Sequence, residues 1–228
     1  MEKWYTAVGI FKMEERDRQR LPVVYLKGKE CHLDVQEMLI WAALNWRILT
    51  AEQIEPQYKD LQDEVDIVLS RSFDESLNRL IVRGLVVEGC GDTKFEALYN
   101  LLSKLYIVPI PTNMFYRGIS FVKLVLFVKV PYEVDKNVFI KDKKSDSEKM
   151  VLAIANKVTL STAEIIGCIE KGITEISSVD ELLVALYNDK YTTSENISEI
   201  NKYSCKCRDV ISAVANLYLR KQIIFERL

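Results

Sequence analysis

Cys205 and Cys207, one residue apart around Lys206, are the side chains in this sequence best suited to grip a soft metal or exchange a disulfide. Two thiolates supply only half of a tetrahedral site. Cys31 and His32 lie far away in sequence, and no second close pair of cysteines follows. The pair is therefore read as the start of a helix with Cys207 partly buried, and no metal is expected. His32, the single histidine, precedes a helix cap and reads as a turn residue rather than a catalytic base. Carboxylates are abundant but scattered, and the chain lacks a GxSxG elbow, a glycine-rich phosphate loop and an HExxH pair. This inventory predicts a protein that is not an enzyme and needs no cofactor.

The bulk chemistry narrows the class further. The 228 residues are 49% hydrophobic and 28% charged, enough to bury one large core or two small ones. With 31 Lys+Arg against 33 Asp+Glu there is no global basic field to draw the chain onto nucleic acid or anionic lipid. Residues 1–130 carry 17 basic and 18 acidic side chains and the remainder 14 and 15, so neither half is basic alone. The N-terminal sequence Met1-Glu2-Lys3-Trp4 does not resemble a secretory signal. The apolar run 119–130 is broken by Lys123 and Lys129 and is too short to span a bilayer. Five cysteines leave one unpaired, which fits a reducing compartment. A cytoplasmic protein without membrane contact is expected.

Helical spacing of Phe95, Leu98, Leu101, Leu102 and Leu105 predicts a helix over 94–106, ended by Pro109 and Pro111. Strands are predicted at 4–11, 23–26, 121–130 and 138–140, and the charged stretch 141–149 reads as an exposed linker. The apolar segment 114–121 is expected to pack between domains, and Trp41 is expected in the core with Trp46 exposed. An internal repeat organises the rest. Leu33-Asp-Val-Gln-Glu37 pairs with Leu160-Ser-Thr-Ala-Glu164, each a capping box, and Thr50 and Ser178 are the predicted caps of second helices. A third helix carries Phe73, Leu77, Leu80 and Ile81 inward, and its counterpart carries Ile211, Val214, Ala215 and Tyr218. Each leads into an apolar strand. The predicted division is 1–112 and 113–228.

That order of elements resembles the winged helix-turn-helix superfamily. In the first half, Val23-Val-Tyr-Leu-Lys-Gly-Lys-Glu-Cys-His-Leu33 is similar to the strand-turn that precedes the first helix of response-regulator effector domains. The resemblance implies an α+β fold of two winged-helix domains in tandem, each of three helices with a small antiparallel sheet. It further implies a DNA-binding transcriptional regulator that reads duplex DNA through its third helices and wings. Arg71, Asn78 and Arg79 then face DNA from the first copy, with Lys94 on a wing at 89–94. Lys206, Arg208, Asn216 and Arg220 do so from the second, where Ser212 and Ala213 leave room for a groove. Asp74 and Glu75 oppose this reading. The second copy ends too soon after 223–226 for a wing hairpin, so the matching strand must come from upstream or be missing. A homodimer or a protein partner are the other expected associations. The rival reading is a non-enzymatic scaffold similar to the tandem winged-helix subunits of chromosome-condensing complexes. A plasmid or phage replication initiator is a further alternative.

Overall fold

Gly9 breaks the expected N-terminal strand. It adopts φ +105°, and a Cβ there would stand 2.7 Å from the Tyr25 carbonyl oxygen, so glycine is required at the bend. The run 4–11 is consequently two strands in different sheets, β1 (Glu2–Ala7) and β2 (Ile10–Arg16). The computed structural model describes residues 1–16, 19–65, 70–110, 144–173 and 178–227. β2 pairs antiparallel with β3 (Gln19–Leu26). β3 pairs in turn with β4 (Lys29–Cys31) across Lys27 and Gly28, both at positive φ as a two-residue hairpin turn requires. β1 pairs instead with β5 (Val86–Gly91).

Three helices separate these strands: α1 (Val35–Leu44), α2 (Ala51–Val65) and α3 (Phe73–Val82). Asp34 closes the expected capping box on α1, its carboxylate accepting from the Glu37 N–H at 3.0 Å while Glu37 accepts from the Asp34 N–H at 3.2 Å. Ser72 and Glu75 do the same for α3. Leu39, Ile40, Trp41, Leu44, Ile54, Leu80 and Leu85 fill the core between helices and strands. Trp41 also donates its indole N–H to the Val8 carbonyl at 3.2 Å.

The helix expected over 94–106 is shorter. α4 (Lys94–Leu102) stops at Ser103, and β6 (Tyr106–Pro109) pairs antiparallel with β7 (Ile223–Glu226). The leucine spacing suits a helix as far as Leu102, and beyond it the backbone bonds to β7 and from Ile107 to the Leu160 carbonyl at 3.0 Å prevail. The upstream strand partner that the second half needs is therefore β6. Five further α-helices follow among the described residues: α5 (Asp146–Ala155), α6 (Thr162–Glu170), α7 (Val179–Leu186), α8 (Ile197–Ile200) and α9 (Cys207–Leu219). Ser161 and Ser178 cap α6 and α7 as predicted. The linker expected over 141–149 is corrected from Ser145 onward, because Ser145 and Glu148 form a capping box that starts α5. Asp146 and Glu148 in its first turn suit the positive end of the helix. Residues 141–143, the strands expected at 121–130 and 138–140, the segment 114–121 and the 112/113 boundary lie outside the described residues.

The structure also moves the register of the repeat. Asp34 with Ser145, Glu37 with Glu148 and Thr50 with Ser161 stand a constant 111 residues apart, and Ala42, Asn45, Leu49 and Ile54 recur at the same offset as Ala153, Asn156, Leu160 and Ile165. α1 therefore corresponds to α5, not to α6. The segment after each first helix bridges its half's strand, Leu49 to Tyr5 and Ser161 to Tyr106. Each third helix ends alike, since the Leu85 N–H donates to the Leu80 carbonyl and the Gln222 N–H to the Leu217 carbonyl, both at 2.9 Å. Gly84 and Lys221 take the positive φ that this ending requires. The second half carries two capping boxes in succession, Ser145 with Glu148 and Ser161 with Glu164, and the first of them, not the expected second, stands opposite Asp34 and Glu37.

The halves share one seam. Val8 and, from α4 and β6, Tyr99, Leu101, Leu102 and Ile107 lie in the same cluster as Ile154, Ile165, Val214 and Phe225. The fully buried Tyr218 hydroxyl accepts from the Thr6 hydroxyl and the Trp46 N–H, each at 2.9 Å, and lies 3.3 Å from the Ala7 carbonyl. Trp46 is thus half-buried rather than exposed, with φ +57° and its indole N–H on the Ile223 carbonyl at 3.2 Å. The Gly9 N–H donates to the Phe225 carbonyl at 2.9 Å.

Candidate functional site

The outward face of α3 carries Asp74, Glu75, Asn78 and Arg79, all exposed, with Val82 at 87% exposure. Arg71, Glu75, Asn78, Arg79, Val82 and Arg83 border one shallow depression of about 520 Å³, so the three first-copy candidates come together. Their charges, however, are already engaged. Glu37 is 1% exposed; its Oε1 accepts from Arg79 Nε at 2.9 Å and its Oε2 from Arg83 Nη1 at 2.6 Å. Arg71 pairs with Asp34. Burial opposes the charge on Asp34, but the Glu37 N–H and Arg71 outweigh it, and its pKa is lowered. Hydrogen bonds from the Ser72 backbone and side chain lower that of Glu75. The face therefore presents both signs, with each guanidinium tied to a carboxylate or, for Arg83, also to the His32 carbonyl.

No wing forms at 89–94. β5 runs through Gly91, Asp92 and Thr93 turn the chain, and α4 begins at Lys94, which is exposed in the first helical turn. Gly89 and Gly91 are there for packing: a Cβ on Gly89 would stand 2.4 Å from the Ala97 carbonyl oxygen and the Leu101 nitrogen, and one on Gly91 2.4 Å from the Ala97 nitrogen. The glycines let helix and strand backbones touch.

On α9 the inward set Ile211, Val214, Ala215 and Tyr218 is buried as expected. Ala213 is 3% exposed and is corrected to the core, because α9 is covered from more than one side; Ser212 and Asn216 remain outward. Arg208 lies 5.1 Å over the Phe95 ring, and Arg220 approaches Glu148, itself 2% exposed, at 3.3 Å. Lys206 is exposed ahead of the helix. Cys207, the first residue of α9, is buried and its thiol is pushed up to about 11 by burial, while exposed Cys205 points its sulfur at Glu170, 3.5 Å away. Both stand as free thiols.

Sequence reasoning missed Arg83, Glu37 and Glu148. Arg83 lies four residues after Arg79 on the same side of α3, a signal visible in the sequence; the carboxylate it serves is 46 residues away and was not. No helix among the described residues is long and apolar enough to cross a membrane. No protein-family model, curated protein or solved structure matches the chain.

Proposed function

We propose that this chain is a non-enzymatic, cytoplasmic adaptor of tandem winged-helix type that engages a protein partner. One observation carries the reading: two of the four guanidiniums expected to face DNA close on buried carboxylates of their own chain, Arg79 on Glu37 and Arg220 on Glu148. To reach a phosphate, Arg220 would leave Glu148 without another ion pair among the described residues, at a cost of about 3–5 kcal/mol, and Arg79 would leave Glu37 to Arg83 alone. The direct passage from β5 into α4 and the near-neutral charge of each half support the same reading.

The second reading, a DNA-binding regulator, is favoured by the exposed Asn78, Lys94, Lys206 and Asn216, which are of the types that contact bases and phosphates. Titration of the purified chain into labelled duplex at low salt separates the two. The adaptor reading expects no saturable binding, and a stoichiometric protein complex on affinity isolation. Saturable DNA binding that weakens steeply with added salt, and that falls on substituting Lys206 and Asn216, establishes the regulator instead.

A further inference from the structure

Among the described residues three capping-box glutamates are buried, and they are not treated alike. Glu37 holds two arginines and Glu148 holds Arg220. Glu164, 7% exposed, has no cation within ion-pair distance among the described residues. Its Oε2 accepts the Ser161 N–H at 2.7 Å and its Oε1 the Tyr187 hydroxyl at 2.6 Å, both neutral donors.

Glu164 is one of the residues that line a half-open pocket of about 320 Å³ with mixed polar and apolar walls, at the small end of ligand-site volumes. Ser103, Tyr106, Ser161 and Ser198 are among its lining residues. Its walls are fixed. Ser103 O accepts from the Ala163 N–H at 2.9 Å, Asn201 Nδ2 donates to the Ala163 carbonyl at 2.8 Å, and Tyr99 donates to the Ser198 carbonyl. Glu195 and Lys104, both exposed, also border it. Burial, and secondarily the charge of Glu164, raises the Tyr106 pKa and keeps that phenol protonated.

We propose that this cavity binds a small organic cation, a primary ammonium compound with a second hydrogen-bonding group. The ammonium takes the place beside Glu164 that arginine takes beside Glu37 and Glu148, and the surrounding hydroxyl oxygens accept its remaining N–H bonds. The second group reaches toward Glu195. The site is separate from the outward faces of α3 and α9 and stands whether those take protein or DNA.

Calorimetric titration of the full chain tests it with putrescine and ethanolamine as probes and butanediol as the uncharged control. Saturable one-to-one binding of an amine, with none of the diol, is expected. Glu164→Gln keeps the capping bond that glutamine also makes, and is expected to weaken the amine by at least about tenfold at an unchanged unfolding temperature. Ser194→Trp, at the exposed rim of the cavity, leaves the carboxylate intact and is expected to abolish binding by filling the space. Absence of saturable amine binding, equal binding of the diol, or undiminished binding by either folded variant overturns the proposal. Should Glu164→Gln fail to fold, Ser194→Trp decides alone.

Discussion

Glu37 sits at 1% exposure with one charged donor on each carboxylate oxygen. Removing one arginine leaves the other in place, so Arg79→Ala is expected to cost about 1 kcal/mol, as a partly exposed pair does. Removing both strands a buried charge, and Arg79→Ala with Arg83→Ala is expected to cost about 3–5 kcal/mol, more than the sum of the single changes. Urea midpoints at unchanged slope measure this, and additivity of the two changes would show that Glu37 finds another partner. DNA assays with Arg79 variants therefore mix recognition with folding; Asn78 and Asn216, exposed on the two third helices, separate them. The boxes at Asp34 and Ser161 were legible in the sequence because donor and acceptor are three residues apart. The pairs Arg79–Glu37 and Arg220–Glu148 were not, because only the folded packing of distant helices creates them.

Gly89 and Gly91 show how one residue type serves two ends at the level of elements. Glycines between a strand and a polar pair suggest a wing turn, and the structure uses them to seat α4 directly on β5. Gly89→Ala, which places a Cβ 2.4 Å from helix backbone on two sides, is expected to cost about 3 kcal/mol or more and to lower the melting temperature sharply. Gly28→Ala, in open space at φ +71°, should cost only about 1–2 kcal/mol. Comparable losses at the two sites would contradict the close packing of α4 on β5. The helices whose apolar spacing matched their caps were legible. The start of α5 was not, since Ser145, Asp146 and Glu148 are equally at home in a solvated loop, and their role as cap and first turn depends on Val151, Ile154 and Ala155 finding a core to enter.

The whole molecule joins at Tyr218. Tyr218→Phe removes the acceptor of the Trp46 N–H and the partner of the Thr6 hydroxyl, which is expected to cost about 1–3 kcal/mol. The first half has a core of its own, but the second half's cluster takes in Val8, α4 and β6, so the two are expected to unfold in a single transition with calorimetric and van't Hoff enthalpies equal. Two resolved transitions would mean that the halves behave as separate units. The seam was illegible in the sequence because its partners, Thr6 and Tyr218, are 212 residues apart. It also sets the terms on which any partner is met. α3 and α9 belong to two buried clusters joined across the seam at Tyr218 rather than by a tether, so the effective concentration of the second contact depends on how the partner's own sites are spaced. A partner with matching spacing gains avidity with no linker to order, and one with any other spacing binds through a single face.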